Sequence, residues 1–175
     1  RSEYDCILST SKSINKDNSL LNCRLNGFNN NKPDLIIIDL KLKIKKTLRL
    51  FKLSKKRRVF IITSSTQRRK ILYFKRRGIK IVFIKSLKNK SNFISLFMIL
   101  KKYGYNRILV ESGLIFLNTL IKNKLVSNLY LFQTEKKLGK IGINNSTSKF
   151  IKKMNLKNKI KVNLKGENLY KLEIK

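Results

Sequence analysis

The sequence predicts an α/β domain: a mixed, mostly parallel sheet flanked by helices and followed by a C-terminal β-hairpin. Three observations point there. Short apolar runs alternate with helical patterns from Tyr4 to Phe132, the order expected when crossover helices join parallel strands. One run, Leu35-Ile36-Ile37-Ile38-Asp39, is continuously apolar, as in a strand covered on both faces. Near the end, Ile160, Val162 and Leu164 alternate with polar residues, and after Lys165-Gly166-Glu167-Asn168 so do Tyr170, Leu172 and Ile174, which reads as a hairpin. A terminal hairpin does not suit a purely parallel sheet, so an antiparallel edge is expected.

Tyr4 to Ser9 reads as the first strand. Thr10 to Lys32 is polar, with Gly27 and Asn29 to Asn31 before Pro33, and is expected to be a long functional loop. Leu35 to Asp39 is the central strand. Lys41 to Arg58 is basic and irregular and suggests no element. Val59 to Thr63 is the next strand, and Ser64, Ser65 and Thr66 offer hydroxyls to cap a helix running toward Gly78. Lys80 to Ile84 is a strand. Phe93, Leu96, Phe97, Leu100 and Tyr103 share one helical face that stops at Gly104. Arg107 to Glu111 is a strand, Leu114 to Asn123 a helix, and Asn128 to Phe132 a further strand.

Composition narrows the chemistry. The 175 residues contain no histidine and two cysteines, which removes the Ser-His-Asp triad, imidazole bases and histidine metal ligands. Cys6 and Cys23 have no CxxC spacing and are expected as buried thiols in a reducing cytoplasm. No apolar run approaches the roughly 20 residues of a membrane span, and no signal peptide is visible. The chain opens on Arg1, almost directly into a strand, as if cut from a longer polypeptide. With 42 Lys and Arg against 9 Asp and Glu the formal charge is +33. Such an excess suits non-specific nucleic-acid binding, yet the absence of alanine and the wealth of Lys, Asn, Ile and Leu is also what an AT-rich coding sequence produces.

Ligands of open α/β sheets bind beyond the carboxyl ends of the strands, and three places there carry suitable chemistry. Ser9, Thr10, Ser11, Ser13, Asp17 and Arg24 share the first loop, hydroxyls with an acid and an arginine that suit a phosphorylated ligand. Glu111-Ser112-Gly113 ends a strand and opens a helix. Its backbone N–H groups could hold a phosphate, or Ser112 could simply cap the helix. Ser64 to Arg69 places hydroxyls before Arg68 and Arg69, either a phosphate grip or a solvated basic helix.

The spacing of these residues resembles a known family. Arg1-x-x-Tyr4-Asp5-Cys6-Ile7-Leu8, followed by Ser13, Asp17, Leu20-Leu21 and Arg24, is similar to the reductase domain of the bifunctional riboflavin-biosynthesis deaminase/reductases. Pro33 with Leu35 to Asp39, Ile108-Leu109-Val110-Glu111-Ser112-Gly113, Leu125-Val126 and Leu138-Gly139 match later landmarks of that family. Asn18-Ser19, Ser112 and Ser127-Asn128 depart from its usual residues.

The resemblance implies a dihydrofolate-reductase-like fold and NADPH-dependent reduction of 5-amino-6-(5-phosphoribosylamino)uracil to its ribitylamino form. It places Arg1, Leu21, Arg24 and Glu111 on the substrate, the arginines at its phosphate. Ser13, Asp17, Gly113, Leu114 and Ile115 would face the cofactor, and Asp17 would also orient the ribose for hydride transfer. No metal is implied. The expected organisation is one reductase domain over 1–175 lacking the family's N-terminal strand and loop, a homodimer, and a fused or companion deaminase domain outside these residues. Two alternatives remain: a basic nucleic-acid-binding module, and an inactive reductase fold with a structural role.

Overall fold

The computed structural model describes residues 1–23, 33–134, 159–161 and 167–174. Contacts divide the chain into two compact units, Arg1–Ser112 and Gly113–Lys175. In the first unit the order is β1 (Cys6–Thr10), α1 (Ser11–Asp17), β2 (Asp34–Ile38), a 3-10 turn at Arg49–Leu53, β3 (Val59–Thr63), α2 (Arg68–Lys75), β4 (Lys80–Phe83), α3 (Lys90–Lys102) and β5 (Ile108–Val110). The strands form one sheet in the order β4-β3-β2-β1-β5, and every pairing in it is parallel.

Strands β2 and β3 lie inside that sheet, which explains their uninterrupted apolar sequences. Ile7, Leu35, Ile37, Val59 and Ile61 join one core cluster with Ile14, Ile71, Phe74 and Ile79. The intervening Cys6, Leu8, Ile36, Phe60 and Ile62 are equally buried, and because side chains alternate along a strand they cover the opposite face. There the Phe60 ring meets Tyr103 and Tyr105 at 4.8 and 5.8 Å, both edge-on. Full burial of such a side chain stabilises by about 1.5–3 kcal/mol.

Carboxylates fix the strand entrances. Asp5 Oδ2 accepts the backbone N–H groups of Asn106 and Arg107 at 2.7 and 2.8 Å, tying the start of β1 to the start of β5. Asp34 accepts from the Arg58 backbone and guanidinium, both at 2.7 Å, and from the Tyr105 hydroxyl at 2.8 Å. The backbone donors hold the Asp5 carboxyl below its ordinary range. Burial, then the bond to Asp34, pushes the Tyr105 phenol up.

Four expectations are corrected within the described residues. The start of the Thr10 to Lys32 stretch is helical, because Thr10 Oγ1 accepts the Ser13 N–H and Asn18 closes α1 in the left-handed region. A seven-residue helix with Ile14 as its one fully buried apolar residue leaves no periodic trace. Helix α2 starts at Arg68 rather than at the serines, since Ser64 Oγ donates to the Leu40 carbonyl and Ser65 Oγ accepts from Gln67 N. Lys41 to Arg58 contributes core: Leu42, Ile44, Leu48 and Leu50 are buried. Asp39 sets that turn by accepting the Lys43 and Ile44 N–H groups at 2.8 and 2.7 Å.

The fourth correction concerns the sheet edge. The second unit contains α4 (Leu114–Lys122), β6 (Asn128–Gln133), β7 (Lys159–Ile160) and β8 (Asn168–Glu173). Its antiparallel strands pair in the order β6-β8-β7 as a separate sheet instead of bordering the parallel one. The hairpin pairing of β7 with β8 is as the alternation predicts. Its other strand, β6, satisfies the backbone of β8 along six residue pairs from Asn128↔Glu173 to Gln133↔Asn168. Val162, Leu164, Leu138 and Gly139 lie outside the described residues.

Candidate active site at the β1/β5 switch point

Strand order reverses direction at β1: β2 lies on one side of it and β5, much later in sequence, on the other. Open α/β sheets bind ligands beyond the carboxyl ends of the strands at such a reversal. Glu111 stands one residue past β5, its backbone N–H bonded to the Leu8 carbonyl at 2.9 Å. The position is therefore set by the sheet itself.

Arg1 comes to this carboxylate from the chain ahead of β1. Its Nε donates to Glu111 Oε1 and its Nη2 to Glu111 Oε2, both at 2.6 Å, a bidentate fork. The remaining Nη1 donates to the Asn22 carbonyl at 2.6 Å. The bonds to Glu111 outweigh partial burial and raise the Arg1 pKa. The pair is about a quarter exposed, reachable by a ligand yet shielded from full screening.

Leu21 and Asn22 are held from the other direction by Arg57. Its Nη1 donates to the Leu21 carbonyl at 2.6 Å and to the Pro33 carbonyl at 3.3 Å, and its Nη2 to the Leu20 carbonyl at 2.6 Å. Two arginines thus fix three consecutive carbonyls, Leu20 to Asn22. Leu21 is buried with φ of 49°, a left-handed backbone that costs a leucine about 1–2 kcal/mol and that the two clamps hold in place. Burial depresses the Arg57 guanidinium to about 10, and its Nε has no partner among the described residues. Asn22 Oδ1 is likewise buried and unpartnered there, an acceptor facing no donor of the described chain.

Of the expected substrate positions, Arg1, Leu21 and Glu111 are thus brought into one connected cluster, while Arg24 lies outside the described residues. Ser13 sits in the first turn of α1, its hydroxyl 3.1 Å from that of Thr10. Asp17 is the exposed last residue of α1. In the second unit Gly113 is the N-cap of α4, with extended backbone and no side-chain cap bond. The cap is therefore Gly113 rather than Ser112, and the first-turn N–H groups of Leu114 and Ile115 are not covered by a capping side chain. A helix start is a general kind of place for a phosphate.

Sequence reasoning missed Arg57 and Asn22. An arginine just ahead of an apolar strand reads as a solvated entrance, and only its long-range carbonyl bonds reveal otherwise. Asn22, next to the motif leucine, was a readable neighbour with no spacing signal of its own.

The geometry defines an α/β domain that holds a partly exposed arginine–carboxylate fork beside β1 and β5, a site for a polar ligand. The family model of the RibD C-terminal domain matches residues 1–167, and the chain belongs to that family. Solved structures agree on the fold. RibD from Acinetobacter baumannii superposes with a TM-score of 0.71 at 15% identity, over 98% of this chain and 47% of that one. A pyrimidine reductase-like protein from Corynebacterium diphtheriae gives 0.75 at 13%, over 100% and 77%. A diaminohydroxyphosphoribosylaminopyrimidine deaminase/5-amino-6-(5-phosphoribosylamino)uracil reductase from Thermotoga maritima gives 0.68 at 19%, over 100% and 46%. The chain therefore spans about half the length of the Acinetobacter and Thermotoga structures. Comparison with curated proteins finds no match.

Proposed function

We propose that this chain is a reductase domain of riboflavin biosynthesis, which reduces 5-amino-6-(5-phosphoribosylamino)uracil to its ribitylamino form with NADPH. The observation that carries the reading is the Arg1–Glu111 fork at the β1/β5 switch point, built from two of the positions that the family resemblance places on the substrate. Family membership over residues 1–167 supports the same assignment.

In this reading Arg1 meets the substrate phosphate while Glu111 holds the guanidinium in orientation. Arg57 keeps the backbone of Leu20 to Asn22 rigid so that these groups do not reorganise on binding. Asp17 orients the ribose, and Ser13 faces the cofactor. Gly113, Leu114 and Ile115 face the cofactor. The nicotinamide supplies the hydride, and the protein contributes positioning and charge placement. A +33 chain also draws anionic substrate and cofactor toward itself. The reading includes a homodimer and a companion deaminase domain, as the bifunctional name of the Thermotoga protein suggests.

Fluorescence titration with NADPH and NADH at low and moderate salt, followed by addition of the phosphoribosylaminouracil, tests the assignment. NADPH-selective binding that survives moderate salt and is followed by substrate-dependent loss of nicotinamide absorbance is expected. Equal, salt-abolished binding of both nucleotides without turnover would overturn it.

A further inference from the structure

Outside the Arg1–Glu111 site, the first unit carries a cleft of about 500 Å³ lined by Lys46, Arg69, Leu72, Tyr73, Arg76 and Arg77. Five of these six residues come from α2 and the two residues that follow it. Arg69, Leu72, Tyr73, Arg76 and Arg77 are spaced i, i+3, i+4, i+7 and i+8, a single helical face. Lys46 Nζ and the Arg77 guanidinium carbon stand 4.5 and 4.3 Å from the Tyr73 ring centroid, cation–π contacts that hold both charges over the cleft.

No ion pair among the described residues neutralises this face. From Leu40 to Val110 the sequence contains 23 Lys and Arg and no acid. The ion pairs among the described residues involve Arg1, Arg58 and Arg107, and none reaches the cleft. Helix stability does not account for the charge either. Helix α2 begins with Arg68, Arg69 and Lys70, has no acid in its first turn, and lacks a side-chain bond at its Gln67 cap. Cations at a helix N-terminus oppose the macrodipole.

Coding bias does not account for it better. Ten of the 42 basic residues are arginine, yet three of the four cations lining the cleft are. An AT-driven excess raises lysine most, whereas guanidinium groups are the ones suited to phosphate.

We propose that this α2 cleft is a docking site for the phosphate backbone of single-stranded nucleic acid. Its cations would take successive phosphates, with the exposed side chain of Leu72 beside them. Three arginines along one helical face suit the repeating phosphates of a linear polyanion. The surface shares no residue with the reductase cluster, so it stands or falls independently of the proposed reaction.

The test is fluorescence anisotropy of labelled oligouridine RNA, roughly 16 nucleotides long, with the full chain across a salt series. Two variants carry the same change in charge: Arg69→Gln/Arg76→Gln/Arg77→Gln in the cleft, and Lys88→Gln/Lys101→Gln/Lys102→Gln outside it. The cleft variant is expected to lose at least about tenfold in affinity and to flatten the salt slope by about 0.7 for each phosphate contact removed. The outside variant is expected to change much less. Equal losses in both variants, or no loss in the first, overturn the proposal. So does a cleft variant that loses binding to phosphatidylserine vesicles while keeping RNA, which reassigns the cleft to membranes. Photo-crosslinking of 4-thiouridine RNA to the wild-type chain gives a readout that needs no variant. Adducts on the α2 peptide support the site, and adducts spread over the whole chain refute it.

Discussion

Arg1 and Glu111, 110 positions apart, form a two-bond fork with both distances at 2.6 Å. Strand pairing makes this possible, because β5 lies directly against β1 and brings Glu111 within reach of the Arg1 side chain. Since the pair is about a quarter exposed, its contribution to stability is small, within about 1 kcal/mol. Its value lies in orienting a guanidinium.

Glu111→Gln keeps the shape but removes the charge that holds Arg1 in its fork. In the proposed reaction it is expected to raise KM for the phosphorylated pyrimidine by roughly tenfold with a smaller change in kcat, because a binding contact is being misaligned. Thermal unfolding should shift little. Steady-state kinetics beside a melting curve checks both, and a large loss of Tm with unchanged KM would make the pair structural.

Arg57→Met should be the costlier substitution. It leaves the carbonyls of Leu20, Leu21 and Pro33 without their donor, at about 1–3 kcal/mol for each group left buried and unsatisfied, partly offset by removing a desolvated cation. A net loss of about 2–4 kcal/mol is expected in urea unfolding. Arg57→Lys should recover only part of it, since a single ammonium cannot reproduce the span of two guanidinium nitrogens.

At Leu21 the usual order of truncations should invert. Leu→Ala keeps the strain of φ 49° and loses the buried side chain, for about 2–3 kcal/mol. Leu→Gly loses the same burial but relieves about 1–2 kcal/mol of left-handed strain. Leu21→Gly is therefore expected to be at least as stable as Leu21→Ala, measured by chemical denaturation; the reverse order would show that the backbone there is relaxed.

Burial, assisted by the Asp34 and Asp5 charges, pushes the Cys6 thiol from 9.0 up to about 12. The unfolded chain releases this proton as pH rises through 9 while the folded chain retains it. The resulting contribution is complete below pH 9 and is lost as pH climbs toward 12, by about 1.4 kcal/mol per unit. Cys6→Ala lacks that slope. The stability difference between wild type and Cys6→Ala should therefore shrink between about pH 8 and pH 10.5, and native Cys6 should stay unreactive to thiol reagents at neutral pH.

Much of the fold was legible because its signals are local. The run Leu35 to Asp39 announces a strand buried on both faces, and Gly78 and Gly104 stop helices at φ of 74° and 92°, where a Cβ would be strained. The family motif marked Arg1, Leu21 and Glu111, which the fold brings into one cluster. Asp5, within that motif, serves to latch β1 to β5.

The sequence by itself determined the strands, the longer helices and which histidine-based chemistries are excluded, because hydrophobic period, breakers and the absence of histidine are properties of neighbouring residues or of composition. Tertiary structure alone decided that Leu42, Ile44, Leu48 and Leu50 belong to the core, and that β6 joins β8 in a sheet apart. It also decided that Arg57 is a buried clamp and that the charge of α2 gathers around Tyr73. Each of these depends on hydrogen bonds or proximity between residues tens of positions apart, and no local pattern encodes which distant carbonyl a guanidinium will find.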